Sequence, residues 1–190
     1  TISGGGATTL NALSDALVVD SSIYLGNVPS NHTSTAKYNV AVGIGALDSI
    51  TTGSYNTASG YQALKANTTG YNNTASGNGA LYSNTEGSYN AASGSDALNS
   101  NTTGNYNTAS GDGALSSNIE GNYNTAIGYA ADVDSSNLTN ATAIGNGAIV
   151  NASNTIQLGN EAVINVKTSG TITAGAITIP NTDGSDGQVL

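Results

Sequence analysis

Apolar and polar positions between residues 20 and 166 recur with a fixed period. Aligned on the glycine that closes each short strand, Gly26, Gly43, Gly60, Gly77, Gly94, Gly111, Gly128 and Gly145 follow one another at intervals of 17 residues, and Gly159 follows after 14. That spacing gives nine rungs, and self-similarity at a fixed period of this length is the signature of a stacked repeat architecture. The clearest units read YNTASGYQALKANTTG (55–70), YNAASGSDALNSNTTG (89–104) and YNTASGDGALSSNIEG (106–121). Within N-T-A-S-G the side chains alternate with period two, which predicts a short β-strand. A second short strand is expected at Ala46-Leu47, Ala63-Leu64, Ala80-Leu81, Ala97-Leu98 and Ala114-Leu115. The N-T-T-G turn then closes the unit at Gly53, Gly70, Gly87, Gly104 and Gly121, with glycine expected at positive φ and Asn or Thr bonding the local backbone. The chain therefore reads as an all-β solenoid. At about 4.8 Å per rung, nine rungs make a stack roughly 40 Å long.

Read down the columns, each position has its own task. Tyr38, Tyr55, Tyr89, Tyr106 and Tyr123 form one column, interrupted at Asn72, where the tyrosine has moved to Tyr71; Asn39, Asn56, Asn73, Asn90, Asn107 and Asn124 form the next. Like side chains on successive rungs stack, so aromatic and amide ladders are expected. Ala41, Ala58, Ala75, Ala92, Ala109 and Ala126 share a face with the strand glycines. Only small side chains fit there, as where a backbone closely approaches another chain or a neighbouring rung. The leucine column supplies a thin apolar seam, expected to meet a partner seam on other copies of the chain.

The ends differ from the middle. Ile23-Tyr24-Leu25-Gly26-Asn27 and Ile156-Gln157-Leu158-Gly159-Asn160 are more apolar than the central strands and read as capping rungs. Residues 1–20 form a connecting segment whose Leu10, Leu13, Leu17, Val18 and Val19 can pack on the first rung; 21–166 is the repeat domain; 167–190 is a β-rich segment and polar tail.

Composition changes this picture in one respect. The 190 residues contain no Phe, Trp, Met or Cys, and much of the 37 % hydrophobic content is alanine, which buries little apolar area. A lone chain of this kind is expected to be short of core, and partner chains are expected to complete it. Disorder fits less well, because the chain is only 8 % charged and has two prolines. A net charge of −9 with Lys37, Lys65 and Lys167 as the sole Lys or Arg residues argues against nucleic acid and anionic membrane surfaces. No apolar run is long enough to span a bilayer.

Strands of the form N-T-A-I-G (124–128) and A-T-A-I-G (141–145), spaced 14 to 17 residues apart, resemble the head repeats of trimeric autotransporter (YadA-like) adhesins over roughly residues 20–166. The resemblance implies a left-handed parallel β-roll, three of which pack around a common axis as a homotrimer. The Y-N-T-A-S-G…A-L…N-T-T-G form is also similar to repeats in the shafts of phage and other viral tail fibres. Residues 167–190, with G-T-I-T-A-G-A-I-T-I-P at 170–180, resemble the stretch that precedes a C-terminal intramolecular chaperone with autoprotease activity in such fibres. Leu190 as the last residue is expected of a chain from which that chaperone has been removed. Within these 190 residues no stretch reads as the neck, coiled-coil stalk or membrane anchor of the YadA-like pattern, a departure that weighs against the bacterial-surface version.

Few residues invite chemistry. His32 is the only histidine and sits in a polar N-H-T stretch, so a nucleophile paired with a base is not expected. Asp132 and Asp134 lie in D-V-D-S-S-N (132–137), which lacks the glycine and distal glutamate of an EF-hand loop; a solvated loop is expected in place of a calcium site. Asp183 and Asp186 read as a turn. Asn67, Asn101 and Asn137 head N-x-S/T triplets that read as turns of the repeat before they read as glycan acceptors. No catalytic, cofactor-binding or metal-binding residues are expected. A column of varied chemistry, Ile44, Tyr61, Asn78, Ser95, Asp112 and Tyr129, is the place expected for surface contact. The reading that results is a non-enzymatic structural or attachment segment of an extracellular or virion tail fibre, with no cofactor and with itself as partner. A cell-surface adhesin head binding a host glycan or matrix protein, and a filament built by end-to-end stacking, are the alternatives.

Overall fold

The computed structural model describes residues 16–26, 29 and 35–163. His32, Asp183, Asp186 and the segment 167–190 singled out above lie outside the described residues. Twelve short strands are present: β1 Ala16–Val19, β2 Ser22–Leu25, β3 Val40–Val42, β4 Thr57–Ser59, β5 Thr74–Ser76, β6 Ala91–Ser93, β7 Thr108–Ser110, β8 Thr125–Ile127, β9 Asp132–Val133, β10 Thr142–Ile144, β11 Ile149–Val150 and β12 Ile156–Leu158. Among the described residues there is no helix, and so none long and apolar enough to cross a membrane.

Nine of these strands, β2 to β8 with β10 and β12, stack in parallel, one per coil, in a single sheet. Their register keeps the sequence columns intact: Ala58 pairs with Ala75, Ala75 with Ala92, Ala92 with Ala109 and Ala109 with Ala126. The shorter last step is absorbed without loss of register, since Ala143 pairs with Gln157. The chain is thus a parallel β-solenoid of about eight turns with 17-residue spacing.

The strand alternation is realised as outward, inward, outward. In T-A-S the alanine is buried while its flanking Thr and Ser face solvent. The small face therefore points into the coil, and the close approach it accommodates is to the next rung of the same chain. A Cβ on Gly60 would collide with the Gly77 carbonyl, and one on Gly77 with that of Gly94. These strand glycines have φ of 139° and 145°, a region open to glycine alone. The N-T-T-G glycines correct the expectation made for them: Gly53, Gly70, Gly87, Gly104 and Gly121 are not at positive φ. They are glycine because a Cβ would strike the neighbouring asparagine and, at all but Gly121, the carbonyl of the glycine one rung on.

The second predicted strand is replaced by a turn at Ala46-Leu47, Ala63-Leu64, Ala80-Leu81, Ala97-Leu98 and Ala114-Leu115. Both residues of each pair are fully buried, which adjacent residues of a flat strand cannot be, because they face opposite sides. The leucine meets this demand by adopting φ of 52° to 53°. Left-handed geometry costs a non-glycine residue roughly 1–2 kcal/mol, and burying a leucine returns about 1.5–3 kcal/mol, so burial wins narrowly. Where the column holds Asp132 and then Ile149 in place of leucine, the chain runs extended, and β11 pairs with β9 as a second, two-stranded sheet.

The leucine seam is buried inside its own coil. Leu47, Leu64, Leu81, Leu98 and Leu115 are inaccessible in the single chain, so the expectation that their partners lie on other copies is corrected. Room for leucine comes from the alanines opposite, with which it forms one continuous core.

Asparagines fill the rest of the interior. Each backbone N–H of the first asparagine column donates to the side-chain oxygen one rung back: Asn73 to Asn56 Oδ1 at 3.0 Å, and Asn90 to Asn73, Asn107 to Asn90 and Asn124 to Asn107 each at 2.9 Å. The side-chain nitrogen of each from Asn39 to Asn107 donates to a turn glycine carbonyl, as Asn90 does to Gly104 at 2.8 Å, whereas that of Asn124 donates to the Leu138 carbonyl at 2.6 Å. A second column runs alongside, with Asn84 Nδ2 donating to Asn67 Oδ1, Asn101 to Asn84 and Asn118 to Asn101 at 2.8, 2.8 and 2.9 Å.

At the N-terminal edge β1 folds back antiparallel on β2. The two-residue turn Asp20-Ser21 has φ of 47° and 63°, the paired positive values of a type I′ hairpin. Leu17 and Val19 pack on the core, and Tyr24 is fully buried beneath them.

Two outcomes are expected. Asn90→Ala leaves the Asn107 N–H without its acceptor, which costs roughly 1–3 kcal/mol in chemical denaturation; Thr108→Ala on the outer face changes stability by less than about 0.5 kcal/mol. Equal effects would remove the ladder from the account. Burial raises the Tyr24 phenol above its ordinary 10.0, against the lowering effect of hydrogen bonds to Ser22 and Asn39. The stability this contributes is complete below pH 10 and is lost as pH rises through the raised folded value. Circular dichroism over that alkaline range should show a steeper loss for the native chain than for Tyr24→Phe.

Candidate functional site

The columns facing outward divide the coil into strips. On the sheet, the outer positions are Val40 and Val42, then Thr57 and Ser59, Thr74 and Ser76, Ala91 and Ser93, Thr108 and Ser110, and finally Thr125 with Ile127 and Thr142 with Ile144. This strip is polar in the middle and apolar toward both ends. Val40, Val42, Ile127, Ile144, Ile156 and Leu158 are all exposed, Ile156 the most at 67 %.

The tyrosine column stands at the corner that leads into each strand. Tyr38 and Tyr55 stack with centroids 4.9 Å apart and planes 20° from parallel; Tyr89 stacks on Tyr106 at 4.7 Å and Tyr106 on Tyr123 at 5.1 Å, both 5° from parallel. Tyr71, displaced by one position, meets Tyr89 edge-on at 5.1 Å. A hydrogen bond with Tyr89 raises the Tyr71 phenol above its ordinary value. All five column tyrosines have φ of 58° to 61°. At the same corner of other rungs the chain uses Asn72, Asn140 and Asn154, also at positive φ, the residue type that accepts this geometry most readily after glycine. Tyrosine is therefore kept against its backbone preference, and the gain set against that cost is ring stacking of roughly 0.5–1.5 kcal/mol per pair.

The opposite corner of the strand carries the column expected for surface contact. Ile44, Tyr61, Asn78, Asp112 and Tyr129 are exposed and Ser95 is half-buried. The structure brings them into one line along the stack. Tyr61 and Tyr129 make no ring contact within that line, because neighbouring rungs there carry no aromatic residue.

The remaining candidates resolve into structure. Asp132 is buried, which corrects the solvated loop expected there. Its carboxylate accepts from Ser116 Oγ at 3.0 Å, from the Ser117 N–H at 3.1 Å and from the Val133 N–H at 2.8 Å, while Asp134 is exposed. The two carboxylates are thus separated by environment. Among the described residues no three His, Cys, Asp or Glu side chains gather into a group that could hold a metal ion. Asn67 and Asn101 are buried with their amide nitrogens bound to Gly70 and Gly104 carbonyls at 2.9 and 3.0 Å, so they serve as turn residues; Asn137 alone of the three triplets is exposed.

No family model, curated protein or solved structure matches the chain. Its function is therefore argued from its own surface. Two shallow hollows are present. One, of about 590 Å³, lies at the last coil against Ile149, Gln157, Asn160 and Glu161; the other, of about 500 Å³, lies beside the first tyrosine pair and includes Thr35, Lys37 and Ser54. Neither gathers an acid, a base and a nucleophile in one place.

Proposed function

We propose that the chain is a structural and attachment segment of a homotrimeric extracellular or viral tail fibre, acting by shape and by repeated surface contact without bond chemistry. The observation that carries this reading is the outer face of the sheet. The interior is complete within one chain, yet Val40, Val42, Ile127, Ile144, Ile156 and Leu158 stand exposed on one flat strip. Apolar side chains gathered on one face of a soluble surface mark a contact site. A second copy of the same strip is the simplest partner, since its apolar ends and hydroxyl middle match rung for rung. The stoichiometry of three follows from the resemblance to YadA-like heads.

The exposed column at Ile44, Tyr61, Asn78, Asp112 and Tyr129 favours a second reading, an adhesin head that binds a host glycan or matrix protein. Its chemistry changes at nearly every rung, whereas the buried alanine, leucine and asparagine columns keep one residue type over most of theirs. An end-to-end filament is less favoured, because the first edge of the parallel stack is already paired with β1.

Because assembly and folding use different faces, they can be separated. Ile144→Asp should convert a species of three chains, measured by light scattering with sedimentation, into single chains whose circular dichroism is unchanged. A native chain that is monomeric at micromolar concentration overturns the trimer. A glycan and matrix-protein array gives hits lost in Tyr61→Ala with Tyr129→Ala if the second reading holds, and no hits if the segment is a passive shaft.

A further inference from the structure

We propose that the tyrosine ladder is a site of oxidative cross-linking, at which adjacent rungs of one chain become joined by dityrosine bonds. The inference rests on the ladder alone and holds whether or not the chain is a trimer.

The sequence has no Cys, Met or Trp, and it has ten tyrosines. The side chains that ordinarily take up oxidant first are therefore missing, and one-electron oxidation is directed to phenols. Six of those phenols, Tyr38, Tyr55, Tyr71, Tyr89, Tyr106 and Tyr123, are 42–57 % exposed and each is in ring contact with a neighbour one rung away. The column is retained at positive φ where asparagine serves other rungs without strain. The backbone cost is met by the ring stacks, which hold neighbouring phenols side by side at an exposed corner.

The chemistry balances with a peroxide as the oxidant, delivered by a haem peroxidase. Each of two stacked tyrosines gives up one electron and its phenolic proton, forming two phenoxyl radicals. The radicals couple through ring carbons ortho to the oxygens. The two hydrogens on those carbons then move to the oxygens, which restores both phenols. The peroxide accepts the two electrons and two protons and leaves as two molecules of water. Rings stacked one rung apart and turned toward solvent meet as soon as the radicals form, with rotation of the exposed side chains as the only rearrangement. Each bond spans 17 residues, or 18 for 71–89, tying one coil to the next and slowing the unzipping of the stack.

Treatment of the folded chain with hydrogen peroxide and a haem peroxidase tests this. The expected result is dityrosine fluorescence, with loss of two hydrogens per bond by mass spectrometry. Peptide mapping should place the bonds at 38–55, 71–89, 89–106 and 106–123, with Tyr61 and Tyr129 largely unmodified although both are exposed. Mixing isotope-labelled with unlabelled chains should give few mixed cross-linked peptides. Tyr106→Phe keeps the stack and Tyr106→Asn keeps the backbone geometry; each should abolish the 89–106 and 106–123 bonds and leave 38–55. Bonds formed at Tyr61 and Tyr129 as readily as in the ladder, bonds found only between chains, or a total dityrosine yield unchanged in both residue 106 variants would overturn the proposal.

Discussion

The structure depends on hydrogen bonding by buried asparagine. A coil of 17 residues bends its backbone at several corners, and at each corner N–H and C=O groups turn inward where no strand partner reaches them. An unpaired buried polar group of this kind costs about 1–3 kcal/mol. The side chain of asparagine offers one acceptor and two donors, and here it supplies an acceptor to the next rung's N–H and a donor to the turn carbonyl across the coil. Repetition makes the arrangement self-consistent, because every rung presents to the next the same groups that it received from the one before.

This explains why the chain manages with so little apolar surface. Among the described residues the buried side chains are mostly alanine, the leucine column and asparagine, joined by Tyr24, Ile50, Val133, Val150, Ser22, Ser88 and Asp132. The interior resembles a cross-β stack in which identical amides line up, and it differs from the large apolar core of a compact domain. Among the described residues the two hollows are open to solvent and lie on the outside of the stack. What the fold offers is length, a flat face and ladders of identical side chains at a fixed spacing.

The N-terminal end shows how an exposed edge is managed. An unpaired edge strand invites another chain, and here the hairpin of β1 on β2 covers it. Asp20-Ser21 carries weaker turn signals than Asn-Gly, so the hairpin was not visible in the residues themselves. The packing of Leu17 and Val19 on the core shows what fixes it: their burial holds two ordinary residues at positive φ.

The sequence by itself determined the period, the nine rungs and the identity of every column, because in-register stacking preserves whatever the repeat places at each position. It also determined which strand face must be small, since alanine and glycine there leave no alternative. Tertiary structure decided where the columns point. Ala-Leu read as a strand became a turn because the leucine flipped to positive φ to reach the interior, and that flip removed the need for a partner chain at the seam. The turn glycines are set by lack of room and not by φ, and Asp132 is claimed by Ser116 and Ser117 of the preceding coil and by the adjacent Val133. In each case the residue type is a property of the repeat, whereas its direction and its partners exist only once one coil has closed upon the next.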